Sequence, residues 1–177
     1  MLKNYVNEEQ KLPLFGVGPY MIAGMVAVAL IGIILSYNIL KAGSVSGWLA
    51  WAFRAIGICL IIVGIIIWYI GAMRSDMDNC IENNKLKTDG IYAYVRNPMY
   101  SGWFLAMIGI TLLWHNWWLL LVFPINWLIM TVVLKHTEEK WLTDLYENEY
   151  TQYCKRVNRC LPWKRKQKEL KEDTYEK

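Results

Sequence analysis

The chain has 177 residues, 55% of them hydrophobic, with 19 Lys and Arg against 15 Asp and Glu, which leaves room for one domain or two small ones. The carboxylates fall in three blocks, at 8–9, 76–89 and from 138 onward, and uncharged runs cover 12–40, 55–73 and, apart from His115, 97–134. Apolar runs of 18 residues or more are membrane-span candidates, so the composition excludes a soluble globular domain. With about half the chain in lipid, no nucleotide-binding domain of roughly 150 residues fits.

In chain order, residues 1–18 form a polar segment punctuated by Gly and Pro. Glu8 and Glu9 interrupt its charged region and the following apolar run is too long, so it does not read as a cleaved signal peptide. A first span is predicted at 19–40, with Pro19 tolerated at the helix start. A flexible turn at 41–47 leads to a second span at 48–73. Trp48 and Trp51 stand at one end of it, and Trp68 and Tyr69 near the other, as in an interfacial belt. Arg54, about two turns in, snorkels to the nearer interface.

As one straight helix, 97–134 would be about 57 Å long, nearly twice the hydrocarbon thickness. It must fold back, and His115-Asn116 marks the turn. Helices are expected at 99–114 and 117–134, the second kinked by Pro124. Counting Lys and Arg puts 17 of 19 on one side, so both termini and the 74–96 loop are expected in the cytoplasm. Beyond the last span, 138–157 places Leu142, Leu145, Tyr146, Tyr150 and Tyr153 on one stripe. It reads as an amphipathic helix against the membrane face, ended by Pro162. The predicted fold is an all-α integral membrane protein. It has four transmembrane helices, including a C-terminal helical hairpin, plus a cytoplasmic amphipathic helix. Its segments are 1–18 (cytoplasmic), 19–73 (two spans), 74–163 (the core with the hairpin) and 164–177 (a charged tail). The basic cluster at 164–168 faces lipid headgroups rather than nucleic acid. No CxxC occurs and the two histidines are isolated, so neither a metal nor a disulfide is expected.

The chemistry gathers in two places. The 74–96 loop runs into Thr88-Asp-Gly90-Ile-Tyr92 and Arg96-Asn-Pro98-Met-Tyr100-Ser-Gly102, and Thr137-Glu138-Glu139 follows the hairpin. A hairpin returns the chain to its starting side, so the two should be neighbours. They offer a cation, two aromatics, an amide and paired carboxylates beside lipid. Spacing alone leaves two readings open: a ligand site, or a surface ion pair of Arg96 with Glu138 or Glu139 with the tyrosines as interfacial anchors.

These motifs, followed by Tyr150-x-x-Tyr153 and Leu161-Pro162, resemble the isoprenylcysteine carboxyl methyltransferase family. That family has bacterial members and shares its motifs with phospholipid methyltransferases. The resemblance spans about residues 84–163. It implies a multi-pass enzyme, in a bacterial plasma membrane, that transfers methyl from S-adenosylmethionine to a hydrophobic acceptor. Carried over by position, cofactor contacts fall on Asn84, Lys85, Leu86, Lys87, Tyr92, Asn97, Pro98, Met99, Tyr100, Glu138 and Glu139. Arg96, Asn97 and Glu138 carry the catalytic roles. A carboxylate at 138 suits the ribose diol or the ammonium, and Arg96 suits the cofactor's carboxylate. Gly90 would give the tight turn and Pro98 the helix start.

Two positions depart from the family. Its His is Asn97 here, and the substrate-binding Arg of the eukaryotic enzymes is Leu134, leaving Lys135 as the nearby cation for substrate. The acceptor expected first is a prenylcysteine-like or other lipid-linked carboxylate. Methyl transfer from a sulfonium to a carboxylate neutralises opposite charges and needs positioning and dryness more than a base. A phospholipid amine must first lose a proton, for which His136 is the one candidate base. A dinucleotide-dependent membrane reductase and a non-catalytic scaffold of the same fold are the remaining alternatives.

Overall fold

The computed structural model describes residues 11, 13 and 16–162; the charged tail and its basic cluster lie outside them. Helix α1, Gly18–Asn38, starts with Pro19 in its first turn, where a missing N–H costs nothing. Met21, Met25 and Ala29, four residues apart, are its buried stripe, while Leu30, Ile31 and Ile34 stay exposed. Helix α2, Gly47–Ala72, repeats the pattern with Ile58, Ile62, Ile65 and Ile66 outward. A helix that is apolar all round and buried on one stripe suits a lipid surround.

The long run folds back as expected. Helix α4 spans Pro98–Leu112, preceded by a short helix α3, Met77–Glu82, and a 3₁₀ turn, Gly90–Ala93, neither of them foreseen. After a 3₁₀ segment, Trp117–Leu121, helix α5 runs Val122–His136. Pro124 is the third residue of α5. First-turn N–H groups have no intrahelical acceptor, so Pro124 sits at the helix start and the expected kink within the span is replaced by the 3₁₀ entry. Helix α6, Glu138–Arg156, follows with only Thr137 between, and is broken at Glu147 (φ 43°, ψ −113°). Gly18–Asn38, Gly47–Ala72 and Trp117–His136 are long and apolar enough to cross a membrane; α4 is apolar but shorter.

The closest helix contact joins α2 to α4. Gly57, Gly64 and Gly71 recur every seven residues on α2, and Gly102 and Gly109 do so on α4. A Cβ on Gly64 would lie 2.6 Å from the Gly102 carbonyl oxygen, and one on Gly102 would lie 2.5 Å from that of Gly64. The backbones touch where no side chain intervenes, as in small-residue helix pairing. A second core joins Met21 and Met25 of α1, Tyr100 and Phe104 of α4, Met130 and Leu134 of α5, and Cys160.

The two hairpin turns are tied together at one end of the bundle. The Val45 N–H donates to the His115 carbonyl at 2.8 Å, and the Asn116 side chain donates to the Leu40 carbonyl at 3.0 Å. Arg54 does more than snorkel: its guanidinium contacts His115 Nε2 at 2.9 Å and lies over the Trp51 ring. At the other end, the segment after α6 pairs with the entry to α4. Arg96 N–H donates to the Asn158 carbonyl at 2.8 Å, and Asn97 N–H to that of Arg159 at 2.9 Å. The Ser101 hydroxyl donates to the Cys160 carbonyl at 2.7 Å. The candidate site is at this second end.

Candidate functional site

The return of the chain brings Arg96 and the acidic pair together, and the two adjacent glutamates part company. Glu138 and Glu139 open α6, where carboxylates also meet the positive end of the helix dipole. Glu139 turns to the cations. Arg159 holds it with a two-pronged contact, Nε at 2.6 Å and an Nη at 2.8 Å, and Arg96 reaches it at 3.2 Å. Burial pushes the Glu139 carboxyl upward, but the Arg159 hydrogen bonds and the Arg96 charge outweigh it and hold it below its ordinary range. Glu138 turns the other way. It accepts the Tyr100 hydroxyl at 2.5 Å and the Val17 N–H at 3.4 Å. Burial raises its carboxyl, and these two donors only partly offset the rise. Gly16, at φ +51°, passes so close that a Cβ there would lie 2.7 Å from the Glu138 oxygen.

Between these groups lies a cleft that is open at its mouth. Nine of the residues named from the sequence line it: Lys85, Leu86, Lys87, Tyr92, Arg96, Asn97, Met99, Tyr100 and Glu138. The other four are placed elsewhere. Asn84 accepts the Lys11 N–H at 2.9 Å, Pro98 is buried against Gly71, Glu139 pairs with Arg96, and Lys135 is exposed and outside the cleft lining. Leu134, expected at the position of the eukaryotic enzymes' substrate-binding Arg, is fully buried beside Met130 and Cys160.

Other walls of the cleft escaped the site reading. Met77 and Ile81 come from the unforeseen α3. Leu142, Tyr146, Tyr150 and Tyr153 belong to the apolar stripe expected against the membrane face. Instead they line the cleft and pack around Leu86. Burial raises the Tyr92, Tyr150 and Tyr153 phenols, so they are neutral groups.

The polar atoms give the cleft two poles. Glu138 offers acceptor oxygens. At the other pole, Arg96 Nε and Asn97 Nδ2 are buried donors without a hydrogen-bond partner among the described residues. The remaining Arg96 nitrogens are spent on Glu139, Tyr150 and Cys154. Buried donors are rarely left unpaired, and both of these belong to residues that line the cleft.

An all-helical bundle with three helices long and apolar enough to cross a membrane, and a cleft at one end, defines a class: helical proteins of membrane type. The phospholipid methyltransferase family model matches residues 45–149, well over half of the chain, and the chain belongs to that family.

Relatives match part of the chain. The chain is 37% identical over 82 residues to a protein-S-isoprenylcysteine O-methyltransferase of Schizosaccharomyces pombe, covering 46% of this chain and 34% of that one. It is 36% identical over 81 residues to a methanethiol S-methyltransferase of Crocosphaera subtropica, covering 45% and 30%. It is 31% identical over 81 residues to methanethiol S-methyltransferase 1 of Bradyrhizobium diazoefficiens, covering 46% and 27%. The chain thus spans about a third or less of the length of these relatives. No solved structure matches it.

Proposed function

We propose that the chain is a membrane methyltransferase that uses S-adenosylmethionine and takes a hydrophobic acceptor laterally from the bilayer. In this reading α4 is a fourth span and the cleft opens on the cytoplasmic side, as the Lys and Arg asymmetry requires. The observation that carries the reading is the pair of opposed poles. The cofactor's amino-acid end carries a carboxylate and an ammonium. Arg96 Nε and Asn97 Nδ2 would pair with the carboxylate, and Glu138 with a cation. Tyr92, Tyr150 and Tyr153 offer ring faces for adenine. When bound, the cofactor supplies an electrophilic methyl on a sulfonium. The chain's own work is to hold both ends, keep Glu138 aimed through Tyr100, and exclude water.

Among acceptors, a lipid-linked carboxylate remains the first reading, because it needs no base. One observation favours a second. The cation position of the prenylcysteine enzymes is a core leucine here, and Lys135 is exposed and outside the cleft lining. A thiol acceptor needs no carboxylate-binding cation, and two of the relatives above are named as methanethiol methyltransferases. Purified protein in detergent, given methyl-labelled cofactor with a prenylated thiol acid, an alkanethiol or a phospholipid amine, separates these cases. Base-labile label on the acid supports carboxyl transfer, and label on the thiol supports S-methylation. Failure to bind S-adenosylhomocysteine sinks the cofactor reading altogether.

A further inference from the structure

We propose that Arg159, which lies outside the cleft lining, is a positioning residue that sets the charge and aim of the donor pole for the cofactor's carboxylate. The inference rests on the methyltransferase reading above and concerns one end of that ligand. Arg96, Glu139 and Arg159 form a chain of two cations and one anion, with a net charge of +1. Arg159 makes the shorter, two-pronged contact, 2.6 and 2.8 Å against 3.2 Å from Arg96. Glu139 is therefore committed mainly to Arg159. The charge of Arg96 is therefore only partly offset, and Arg96 lines the cleft with its buried Nε left without a partner among the described residues.

The same stretch holds the pole by its backbone. The Arg159 carbonyl accepts the Asn97 N–H, and the neighbouring Asn158 carbonyl accepts that of Arg96. One short segment thus positions both donors from behind. Without the Arg159 guanidinium, Glu139 would turn fully to Arg96. The net charge behind the pole would fall to zero, and the carboxylate would meet a neutralised pair.

This predicts a pattern that loss of structural support does not give. In the full-length protein in detergent, Arg159→Ala should weaken S-adenosylhomocysteine binding about tenfold. It should leave 5′-methylthioadenosine, which lacks the amino-acid end, within twofold of its wild-type affinity. Adding Glu139→Gln restores the +1 charge on Arg96 and should bring S-adenosylhomocysteine back to within about threefold. Equal loss for both ligands, or a double variant weaker than Arg159→Ala, overturns the assignment. If Arg159→Ala does not fold, Glu139→Gln alone decides: it should hold or strengthen S-adenosylhomocysteine relative to methylthioadenosine, and a selective weakening refutes the inference. Wild-type protein that binds both ligands equally also refutes it, while leaving the cofactor reading intact. Binding of neither ligand removes the cofactor reading itself.

Discussion

The Tyr100 hydroxyl donates to the Glu138 carboxylate at 2.5 Å across 38 residues of chain, and this bond fastens the open end of the helical hairpin. It also decides which member of the acidic pair serves the cleft. Tyr100 stands on the inner face of α4, among Met21, Phe104 and Leu134. Its ring is therefore fixed by packing, and its hydroxyl can aim a carboxylate that would otherwise be free to reach a cation.

Replacement of Glu138 by Ala should weaken S-adenosylhomocysteine binding by roughly ten- to a hundredfold. That is the cost of losing a charge-assisted hydrogen bond, about 1.5–3 kcal/mol. Glu139→Ala should have the smaller effect, because Glu139 is spent on Arg96 and Arg159. Calorimetry on detergent-solubilised protein checks both. An unchanged affinity in Glu138→Ala would make that carboxylate purely structural.

Much of this site was legible in the sequence because its residues cluster at the two ends of one apolar hairpin. A run too long for a single span must fold back, and the fold-back alone makes Arg96 and the glutamate pair neighbours. The spacing could not say which glutamate takes the arginine, since both lie in the first turn of α6 and Tyr100 makes the choice. Arg159 was invisible for the same kind of reason: its partner lies 20 residues away, and only the pairing of 158–159 with 96–97 brings it there. The tyrosine stripe of α6 was readable as one face, but periodicity does not reveal what a face meets. Met77 and Ile81 were missed because a six-residue helix leaves too short a pattern.

The glycine contact between α2 and α4 should be intolerant of even one methyl. Gly102→Ala places a Cβ 2.5 Å from the Gly64 carbonyl oxygen, so a backbone must move, at a cost of about 1–3 kcal/mol. Gly24→Ala on α1, where a Cβ meets nothing within 4 Å, is the matched control. Thermal unfolding in detergent should show a clear drop for the first and little change for the second. Equal behaviour would mean that the two helices do not pack at this distance in the membrane.

The topology can be read by thiol labelling in a cysteine-free background. Asn116 is a poor reporter, because it is buried and holds the Leu40 carbonyl. Cysteines at Ser44 and Trp117, both exposed, should label from outside the cell. A cysteine at Thr88, also exposed and beside the cleft, should label only after permeabilisation. Labelling of all three from one side would overturn the four-span arrangement.

Glu138 makes the site sensitive to pH in a direction that can be worked out. Burial raises its carboxyl above the ordinary value, so the ligand-free fold holds a proton there that the unfolded chain has already released. Its contribution to stability is therefore fully present below the ordinary carboxylate range and is lost as pH rises through the raised value. A cationic ligand needs the opposite state, because only the ionised carboxylate attracts it. Binding of S-adenosylhomocysteine, whose ammonium supplies the cation, should tighten as pH rises through the same interval and then level off. It should also release protons within that interval, which calorimetry in buffers of different ionisation enthalpy would register. Glu138→Gln should flatten both the pH profile and the proton release. An affinity that stays level or falls with rising pH in the wild-type protein would mean that Glu138 is not the group facing the cation.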